Sequence, residues 1–329
     1  MSGIKEVAKL AGVSVATVSR VLNDSSSVLP ETKDRVCEAI EKLNYQPNLL
    51  ARNLRRSETK LILAIIPSIS NMFFSEVVRG MQNKARKYGY NLLLCNTEDD
   101  SESLKVYLNL LKSRQADGVI FVSSAIEQQT LTGIAKTHPV VLCSEYYDGL
   151  DISYISIDNK LAAYQAVQHL IRTGRKRIAF INGFDYHIST RLRLEGYKQA
   201  LADNNIEFRE ELVRQGTYGL KSGLRVMRQF LSLEEPPDGV LAGSDMMAIG
   251  AIKFIKQSGL KVPEDIGVVG FDDTRATSIF EPSVTSISQP MFDMGQCAVD
   301  ILLKKINSLQ GYEEKLILEH ELVIRHSTV

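Results

Sequence analysis

Cysteine, charge of one sign and long hydrophobic runs are all scarce in this chain of 329 residues. Its four cysteines, Cys37, Cys95, Cys143 and Cys297, lie far apart, with no Cys-x-x-Cys pair and no histidine close by. This spacing excludes a disulfide framework and a zinc-ligand motif, and it predicts free, mostly buried thiols in a reducing compartment. We therefore expect no metal site and no cofactor.

The formal net charge of the whole chain is zero, because 39 Lys and Arg residues balance 39 Asp and Glu residues. Taken whole, this balance gives no sign of a nucleic-acid or membrane partner. The longest apolar stretch, 61–75, contains Pro67 and several polar residues, so it cannot supply the roughly 18 apolar residues of a membrane span. The first residues lack a basic start followed by an apolar run, and we expect a cytoplasmic protein without a secretory signal.

The charge is divided unevenly along the chain. Residues 1–60 carry a net charge of +3 and residues 61–329 carry −3. The first segment has helical patterns without a convincing strand, whereas the second alternates short β-rich apolar runs with helical stretches. Such alternation predicts parallel sheets with helices on both faces. About ten strands are many for one sheet, so we predict two α/β lobes with a ligand cleft at the carboxyl ends of their strands.

The apolar runs and helical patterns of the second segment alternate in a fixed order. The predicted strands are 61–66, 91–95, 118–122, 140–143, 154–157, 178–181, 239–242 and 267–270. The helices predicted between them are 75–88, 101–114, 160–173, 191–204, 219–231 and 246–258.

Two short helices joined by a tight turn are predicted at the start of the chain, over 4–10 and 15–22. Gly12 suits a turn position with positive φ, and Ser14 can cap the second helix. Two helices in this arrangement form a helix-turn-helix, whose second helix enters the major groove of DNA. A third helix, about 30–44, closes a small core with Val36, Ala39, Ile40 and Leu43.

The run at 7–23, VAKLAGVSVATVSRVLN, resembles the signature of the lactose/galactose repressor (LacI/GalR) family. The resemblance continues in YQPN at 45–48, LARNL at 50–54, NMFF at 71–74, GSDMMA at 243–248 and GFDD at 270–273. One departure is Leu29, where related sequences have Ser or Thr before Pro-Glu-Thr, and it removes an N-cap from the third helix.

The resemblance implies three parts for the chain. These are a small all-α helix-turn-helix head (1–46), a hinge helix and linker (47–60), and an α/β two-lobe body like the type I periplasmic binding proteins (61–329). Lobe one takes about 61–157 plus 290–317, and lobe two about 160–287 plus 318–329. The body is expected to bind an effector and to dimerise.

The resemblance also implies which residues contact DNA. Arg20 could bind guanine O6 and N7, while Val15 and Ala16 offer apolar contact to thymine methyl groups. The family hinge folds on DNA and inserts a leucine into the minor groove, and Leu54 matches that leucine. The predicted DNA-binding residues are Ser14, Val15, Ala16, Thr17, Ser19, Arg20, Asn23, Asn48 and Leu54.

An effector in the cleft needs aromatic surfaces and fixed hydrogen-bonding groups. By resemblance, Phe73 and Tyr218 pack on the ligand, Arg193 binds it, and Asp272 accepts its hydroxyls. The predicted ligand-binding residues are Phe73, Glu145, His187, Arg193, Tyr218, Asp245, Asp272 and Gln289, with Phe74 and Ser189 as further candidates near the cleft. This set does not separate a sugar or sugar phosphate from a nucleoside or purine.

The resemblance predicts a homodimer on double-stranded operator DNA, with no membrane partner. A phosphoprotein corepressor is left open. The helix around 291–308 could support dimer contacts or be buried in its own lobe. The chain has no nucleotide-binding glycine loop, nucleophile elbow or metalloprotease motif, so we expect no catalytic residues. The alternative of another class is a sugar-processing α/β enzyme with an appended DNA-binding head.

Overall fold

The computed structural model describes residues 3–22, 28–45, 58–122, 126–307 and 312–329. The chain divides into two compact units, Met1–Thr59 and Lys60–Val329. Each unit has a hydrophobic core of its own.

The described part of the first unit contains three helices: α1 (Ile4–Ala11), α2 (Val15–Leu22) and α3 (Pro30–Lys42). Gly12 ends α1 at φ 66°, a left-handed conformation that glycine adopts without steric cost. The backbone N–H of Thr17 donates to Ser14 Oγ at 3.1 Å, so Ser14 caps α2 as predicted. No side chain caps α3 at Leu29, but Pro30 at its first position fits a helix start.

Small apolar side chains from all three helices form the core of this unit. Its buried members are Val7, Ala8, Ala11, Val18, Val21, Val36 and Ala39. Ile40 and Leu43 pack against them and are partly buried. The core leaves the other side of α2 accessible, where Ala16 and Arg20 are exposed.

The described residues of the second unit form two sheets of six strands each. The first has the order β11-β5-β4-β3-β1-β2, with β1 Leu61–Ile66, β2 Asn91–Asn96, β3 Gly118–Val122, β4 Val140–Cys143, β5 Tyr154–Ile157 and β11 Lys315–Leu318. The second has the order β12-β10-β9-β8-β6-β7, with β6 Ile178–Asn182, β7 Val213–Gln215, β8 Gly239–Ala242, β9 Gly267–Asp272, β10 Thr285–Ser288 and β12 Glu321–Val323. Each strand that the sequence predicted is present.

Helices cover the sheets, and several begin earlier than predicted. They are α4 (Met72–Lys87), α5 (Ser101–Lys112), α6 (Gln128–Ala135), α7 (Asn159–Arg172), α8 (Ile188–Asp203), α9 (Leu220–Leu231), α10 (Asp245–Gln257), α11 (Ala276–Ile279) and α12 (Met291–Asn307). α4 begins at Met72 rather than at residue 75, because the Asn71 side chain accepts from the backbone N–H of Phe73. α8 begins at Ile188 rather than at residue 191, so Ser189 lies in its first turn and not ahead of the helix.

The two lobes exchange helices where the chain crosses between them. α7 follows β5 of the first sheet but packs on α8, and α12 follows β10 of the second sheet but packs on α4. Gly80 in α4 and Gly196 in α8 each sit ninth in their helix. A Cβ at either position would collide with the backbone of the exchanged helix, at Phe292 or Lys160. Glycine therefore permits this close helix packing.

α12 is a buried helix of the first lobe. Met294, Ala298, Ile301 and Leu302 are buried in the core beside β1, β3 and β4. The sequence left open whether the apolar face of this helix supports dimer contacts or is buried in its own lobe. The structure shows that this face is buried in its own lobe.

The last two strands complete the third crossing between lobes. β11 pairs parallel with β5, and after two residues β12 pairs antiparallel with β10. Because strands of both lobes point towards the cleft, a chain that continues straight across must enter the second sheet against its strand direction. Leu318, which the sequence analysis put in the second lobe, pairs with Ile157 in the first sheet.

Candidate functional site

A cavity lies between the lobes, at the carboxyl ends of strands from both sheets. Its empty volume is about 730 Å³, part of which is open to solvent. Seven of the eight predicted ligand-binding side chains line it, namely Phe73, Glu145, His187, Arg193, Tyr218, Asp272 and Gln289. Phe74 and Ser189 line it as well.

Arg193, on α8, is held in place by groups of its own lobe and of the crossing. Its Nε donates to Asn159 Oδ1 at 2.8 Å and its Nη1 to the carbonyl oxygen of Gly243 at 3.0 Å. The guanidinium carbon lies 3.5 Å from the ring centroid of Phe271, a cation–π contact. Burial lowers the pKa of Arg193, and the charge of Asp272 opposes that change. The guanidinium is therefore oriented by the protein alone.

Asp272 ends β9 with its backbone at φ 108°, outside the usual range of a non-glycine residue. Only 8% of the residue is exposed, and its Oδ1 accepts from Gln289 Nε2 at 2.7 Å. Burial, and next the charge of Asp245, raise the pKa of Asp272 well above its usual range, while Arg193 opposes this shift. Within the described residues no hydrogen bond reaches Oδ2, so this atom can accept one from a ligand hydroxyl.

Aromatic rings form two walls of the cavity. On the first lobe, Phe73 and Phe74 meet edge to face with centroids 5.5 Å apart. On the second lobe, the ring centroid of Tyr218 lies 5.8 Å from that of Phe184 and 6.3 Å from that of His187. The Tyr218 hydroxyl pairs with Thr190 Oγ1 at 3.0 Å, and burial raises the pKa of Tyr218 to about 12. Flat apolar parts of a ligand can pack on both walls.

Glu145 follows β4 of the first lobe and reaches the start of α8 in the second lobe. Its Oε2 accepts from the backbone N–H of Ser189 at 3.1 Å, and its Oε1 accepts from the Ser189 hydroxyl. The Nδ1 atom of His187 lies 3.8 Å from Oε1. These contacts connect the lobes across the cavity. The carboxylate is stabilised there by the amides at the N-terminus of α8.

Asp245 does not line the cavity, contrary to the prediction from the sequence. It does not end a strand but begins α10, where it is 1% exposed. Its Oδ2 accepts from the backbone N–H and the hydroxyl of Thr274 at 2.6 and 2.9 Å, and its Oδ1 accepts from Ser286 Oγ at 2.6 Å. Because both of its carboxylate oxygens accept hydrogen bonds, Asp245 stabilises the turn after Asp272 without facing the cavity.

Several residues of the cavity wall were not predicted from the sequence. Pro67, Ser68, Asn71, Asp99, Ser144, Phe184, Thr217 and Gly243 line it without having been singled out. Most of them follow the ends of β1, β2, β4, β6, β7 or β8 within a few residues. The rule that ligands bind at the carboxyl ends of parallel strands could have found them.

The first unit presents α2 as its candidate DNA-reading helix. Ala16 and Arg20 are exposed, Val15, Thr17 and Ser19 are half-buried, and Ser14 is exposed at the helix start. The Ser14 and Thr17 hydroxyls pair at 2.9 Å. Asn23, Asn48 and Leu54 were also predicted to contact DNA, and they lie outside the described residues.

The described ranges contain no group of three or more His, Cys, Asp or Glu side chains placed to hold a metal ion. No helix in these ranges is both long and apolar enough to cross a membrane. All four cysteines are free thiols; Cys95 and Cys143 are buried, Cys297 is half-buried and Cys37 is exposed.

Two family models cover nearly the whole chain. Residues 3–48 match the model described as bacterial regulatory proteins of the lacI family. Residues 59–326 match the model described as periplasmic binding proteins and the sugar-binding domain of the LacI family.

Relatives match over their full length. The transcriptional regulator RegA of Clostridium saccharobutylicum is 40% identical over 331 residues, covering 100% of this chain and 99% of RegA. Catabolite control protein A of Priestia megaterium is 37% identical, covering 99% and 98%. Among solved structures, the Lac repressor dimer bound to operator and an anti-inducer has a TM-score of 0.90 at 30% identity, covering 100% of this chain and 99% of that one.

Proposed function

The chain belongs to the LacI family of bacterial transcriptional regulators, and we propose that it is a cytoplasmic homodimeric repressor of a near-palindromic operator. A small molecule bound between the lobes of its second unit would set its affinity for DNA. The observation that carries the proposal is the cavity at the strand ends, lined by aromatic and charged side chains, in a chain with a helix-turn-helix. Family members are regulators rather than enzymes, and no catalytic role is proposed for any residue.

The DNA side of the proposal rests on α2. Arg20 is exposed, and a guanidinium can bind guanine O6 and N7 together. Val15 and Ala16 would contact thymine methyl groups, and Thr17 and Ser19 would bind phosphates. One small head covers only one half-site, so useful affinity requires two linked heads and hence a dimer.

The effector side rests on the cavity wall. Asp272, Gln289 and Arg193 would bind hydroxyl groups of the ligand, because they offer acceptors and donors in fixed positions. Phe73 and Tyr218 would pack on its flat faces. A phosphoprotein corepressor is not part of the proposal.

Coupling between effector and DNA would act through closure of the lobes. Glu145 binds Ser189 across the cavity, and Asp148 pairs with Arg191 at 3.2 Å beside it. A ligand that favours one arrangement of these contacts shifts the equilibrium between lobe positions. A hundredfold difference in affinity between the two arrangements corresponds to about 2.7 kcal/mol of coupling.

Binding to DNA is tested with the full chain at physiological salt. We expect preference for a palindromic site selected from a random pool over random duplex. Arg20→Ala should cost about 1–3 kcal/mol and relax selectivity at one base pair per half-site. Lack of preference for any palindrome would refute the repressor proposal, and a uniform loss over all sequences would assign Arg20 to phosphate contact.

The effector site is tested by a thermal-shift screen of sugars, sugar phosphates, nucleosides and purines on the full chain. For any compound that binds, Asp272→Ala should abolish the dose-response of operator binding while affinity for the operator without compound stays within about threefold, since no DNA contact is removed. Asp151→Ala is the matched control, because Asp151 is an exposed carboxylate that does not line the cavity. An unchanged dose-response in Asp272→Ala would remove Asp272 from the site.

A further inference from the structure

The cavity wall carries more negative than positive charge. Asp99 and Glu145 contribute two carboxylates, whereas Arg193 is the one Lys or Arg side chain among the described residues that line it. Asp272 adds a third carboxyl group, but burial raises its pKa and so favours its neutral form. His187 also lines the wall, and its nearest carboxylate is that of Glu145. An anionic ligand would therefore meet like charge on more than one side, and like charges at close range are destabilising.

Arg193 is a single cation opposite the carboxylates of Asp99 and Glu145, and part of its donor set is already in use. Its Nε and Nη1 donate to Asn159 and Gly243, and its face covers Phe271. The charge of Asp272 acts on it within the same buried region. A phosphate on the ligand would be left the remaining N–H groups of Arg193, beside the carboxyl group of Asp272.

Glu145 has acceptor capacity left for a ligand. A carboxylate has about four lone-pair positions, and the described contacts of Glu145 are two hydrogen bonds from Ser189 and the approach of His187. Its side chain is only 12% exposed. A donor on the ligand would therefore meet a carboxylate that is largely shielded from water, where electrostatic attraction is stronger than at an open surface.

Aromatic rings lie close to His187, the residue that approaches Glu145. Tyr186 stacks on Phe184 with centroids 5.3 Å apart and lies 4.5 Å from His187, while Tyr218 lies 6.3 Å from His187. Burial raises the pKa of Tyr186, and the charges of Asp99 and Glu145 raise it further, so both carboxylates act on this group. Aromatic faces and carboxylates both attract a cation.

In another part of the cavity wall, the buried Asp272 presents its Oδ2 atom, which accepts no hydrogen bond from the described residues, beside Gln289 and Arg193. This part of the wall suits ligand hydroxyl groups, which can donate to the carboxylate and accept from the amide or guanidinium. The cavity thus combines a polyol-binding part with a part that attracts positive charge.

We propose that the effector is a polyhydroxylated ring with an ammonium group, such as an amino sugar, and that Glu145 binds the ammonium. This inference rests on the proposed effector site but goes beyond it, because it specifies that the ligand is positively charged. Sugar phosphates and other anions are discriminated against, and the neutral parent sugar binds more weakly than the amine.

The test is calorimetric titration of the full chain with matched compounds. The panel holds glucose, galactose and mannose, their 2-amino derivatives, the N-acetylated forms, which keep the nitrogen but not its charge, and the 6-phosphates. The wild type should bind at least one amine about tenfold or more tighter than its neutral parent and its N-acetylated form, as expected when an ionic hydrogen bond replaces a neutral one. The phosphates should bind more weakly still.

Variants assign the preference to one residue. Glu145→Gln should lower the amine-to-parent ratio towards one, Glu145→Asp should retain it because the charge remains, and Asp151→Asn, a charge-matched change outside the cavity, should leave it unaltered. Tighter binding of a phosphate or neutral sugar than of every amine overturns the proposal, as does binding of no amine or an unchanged ratio in Glu145→Gln. Operator binding by the same preparation is measured in parallel, so that failure of the regulator function is distinguished from a wrong ligand class.

Discussion

The two lobes repeat one architecture with different side chains at the ligand. When β1 is matched to β6, β2 to β7, β3 to β8, β4 to β9, β5 to β10 and β11 to β12, the two strand orders coincide. The exchanged helices match as well, since α12 on α4 in the first lobe corresponds to α7 on α8 in the second. Because the two lobes share their strand order and helix packing, the difference between their ligand-facing surfaces comes from the side chains.

The difference is clearest after the fourth strand of each lobe. β4 is followed by Ser144 at φ 76° and then Glu145, whereas β9 ends in Asp272 at φ 108° followed by Asp273 at φ 60°. Both turns deliver a carboxylate to the cavity. Glu145 is bound by the opposite lobe through Ser189, but Asp272 is bound by Gln289 at the crossing and buried beside Arg193. Equivalent turns thus provide one carboxylate that also connects the lobes and one that does not.

The largest expected effect on stability comes from disrupting the close helix packing that both lobes share, α12 on α4 and α7 on α8. Gly80→Ala and Gly196→Ala should each destabilise the second unit by about 3 kcal/mol or more, because the new methyl group overlaps backbone of α12 or α7 that cannot move as a flexible side chain can. Chemical denaturation followed by circular dichroism measures this. A cost below about 1 kcal/mol in either variant would show that the helix pair relaxes and that the shared packing is not tight.

The control for these variants is Gly133→Ala in α6. Gly133 lies inside a helix with nothing within 4 Å of an added Cβ. Alanine there should be neutral or stabilising by up to about 1 kcal/mol, since it has the higher helix propensity. Destabilisation of this variant would indicate that helical glycines matter in this fold for a reason other than close packing.

An intermediate effect concerns the buried carboxylate behind Asp272. Asp245→Ala should cost about 2–4 kcal/mol, because the Thr274 amide and the Thr274 and Ser286 hydroxyls lose their buried acceptor. Asp245→Asn should be milder, since its carbonyl accepts from Thr274 and its amide donates to Ser286. Equal costs for the two variants would show that charge rather than hydrogen bonding is what this position requires.

The pH dependence of the same position has a definite sign. Burial raises the pKa of Asp245 to about 7, above the roughly 3.9 of an unfolded Asp. The folded state therefore binds the proton more tightly, and this contribution to stability is present in full below about pH 4 and lost as pH rises through 7. Asp245→Asn should remove that part of the slope between pH 5 and 8, and an unaltered slope would assign it to Asp272.

The smallest effect concerns the exposed contact beside Glu145. Asp148 and Arg191 pair across the lobes at 3.2 Å, but their side chains are 67% and 56% exposed. Water and salt screen such a pair, so Asp148→Ala should change the free energy of unfolding by less than about 1 kcal/mol. A larger loss, insensitive to added salt, would make this pair and not Glu145 the main contact between lobes on this side.

Much of the fold was predictable from sequence periodicity and turn chemistry. The helix-turn-helix followed from Gly12 and Ser14, and eight of the twelve described strands followed from β-rich apolar runs between helical patterns. Helix starts were less accurate. Asn71 is a recognisable cap for α4, yet the apolar Phe73 concealed the start, because its burial in the first lobe does not follow from local sequence.

The candidate site was predictable only in part. Asp245 and Asp272 both stand close after apolar strands and close before helices, so the sequence predicts the same role for both. The structure separates them, because Thr274 and Ser286 occupy both oxygens of Asp245 while Asp272 keeps Oδ2 towards the cavity. These partners lie 29 and 41 residues from Asp245, beyond any local pattern.

The sequence by itself determined the local elements, the order of the two units and the residue types available at the strand ends, because periodicity, caps and turns act over a few residues. Tertiary structure alone decided which of those side chains meet. The chain crosses between lobes three times, so Glu145 of one lobe and Ser189 of the other become neighbours although 44 residues separate them. The balance of charge in the cavity depends on that long-range assembly, and so does the class of ligand inferred from it.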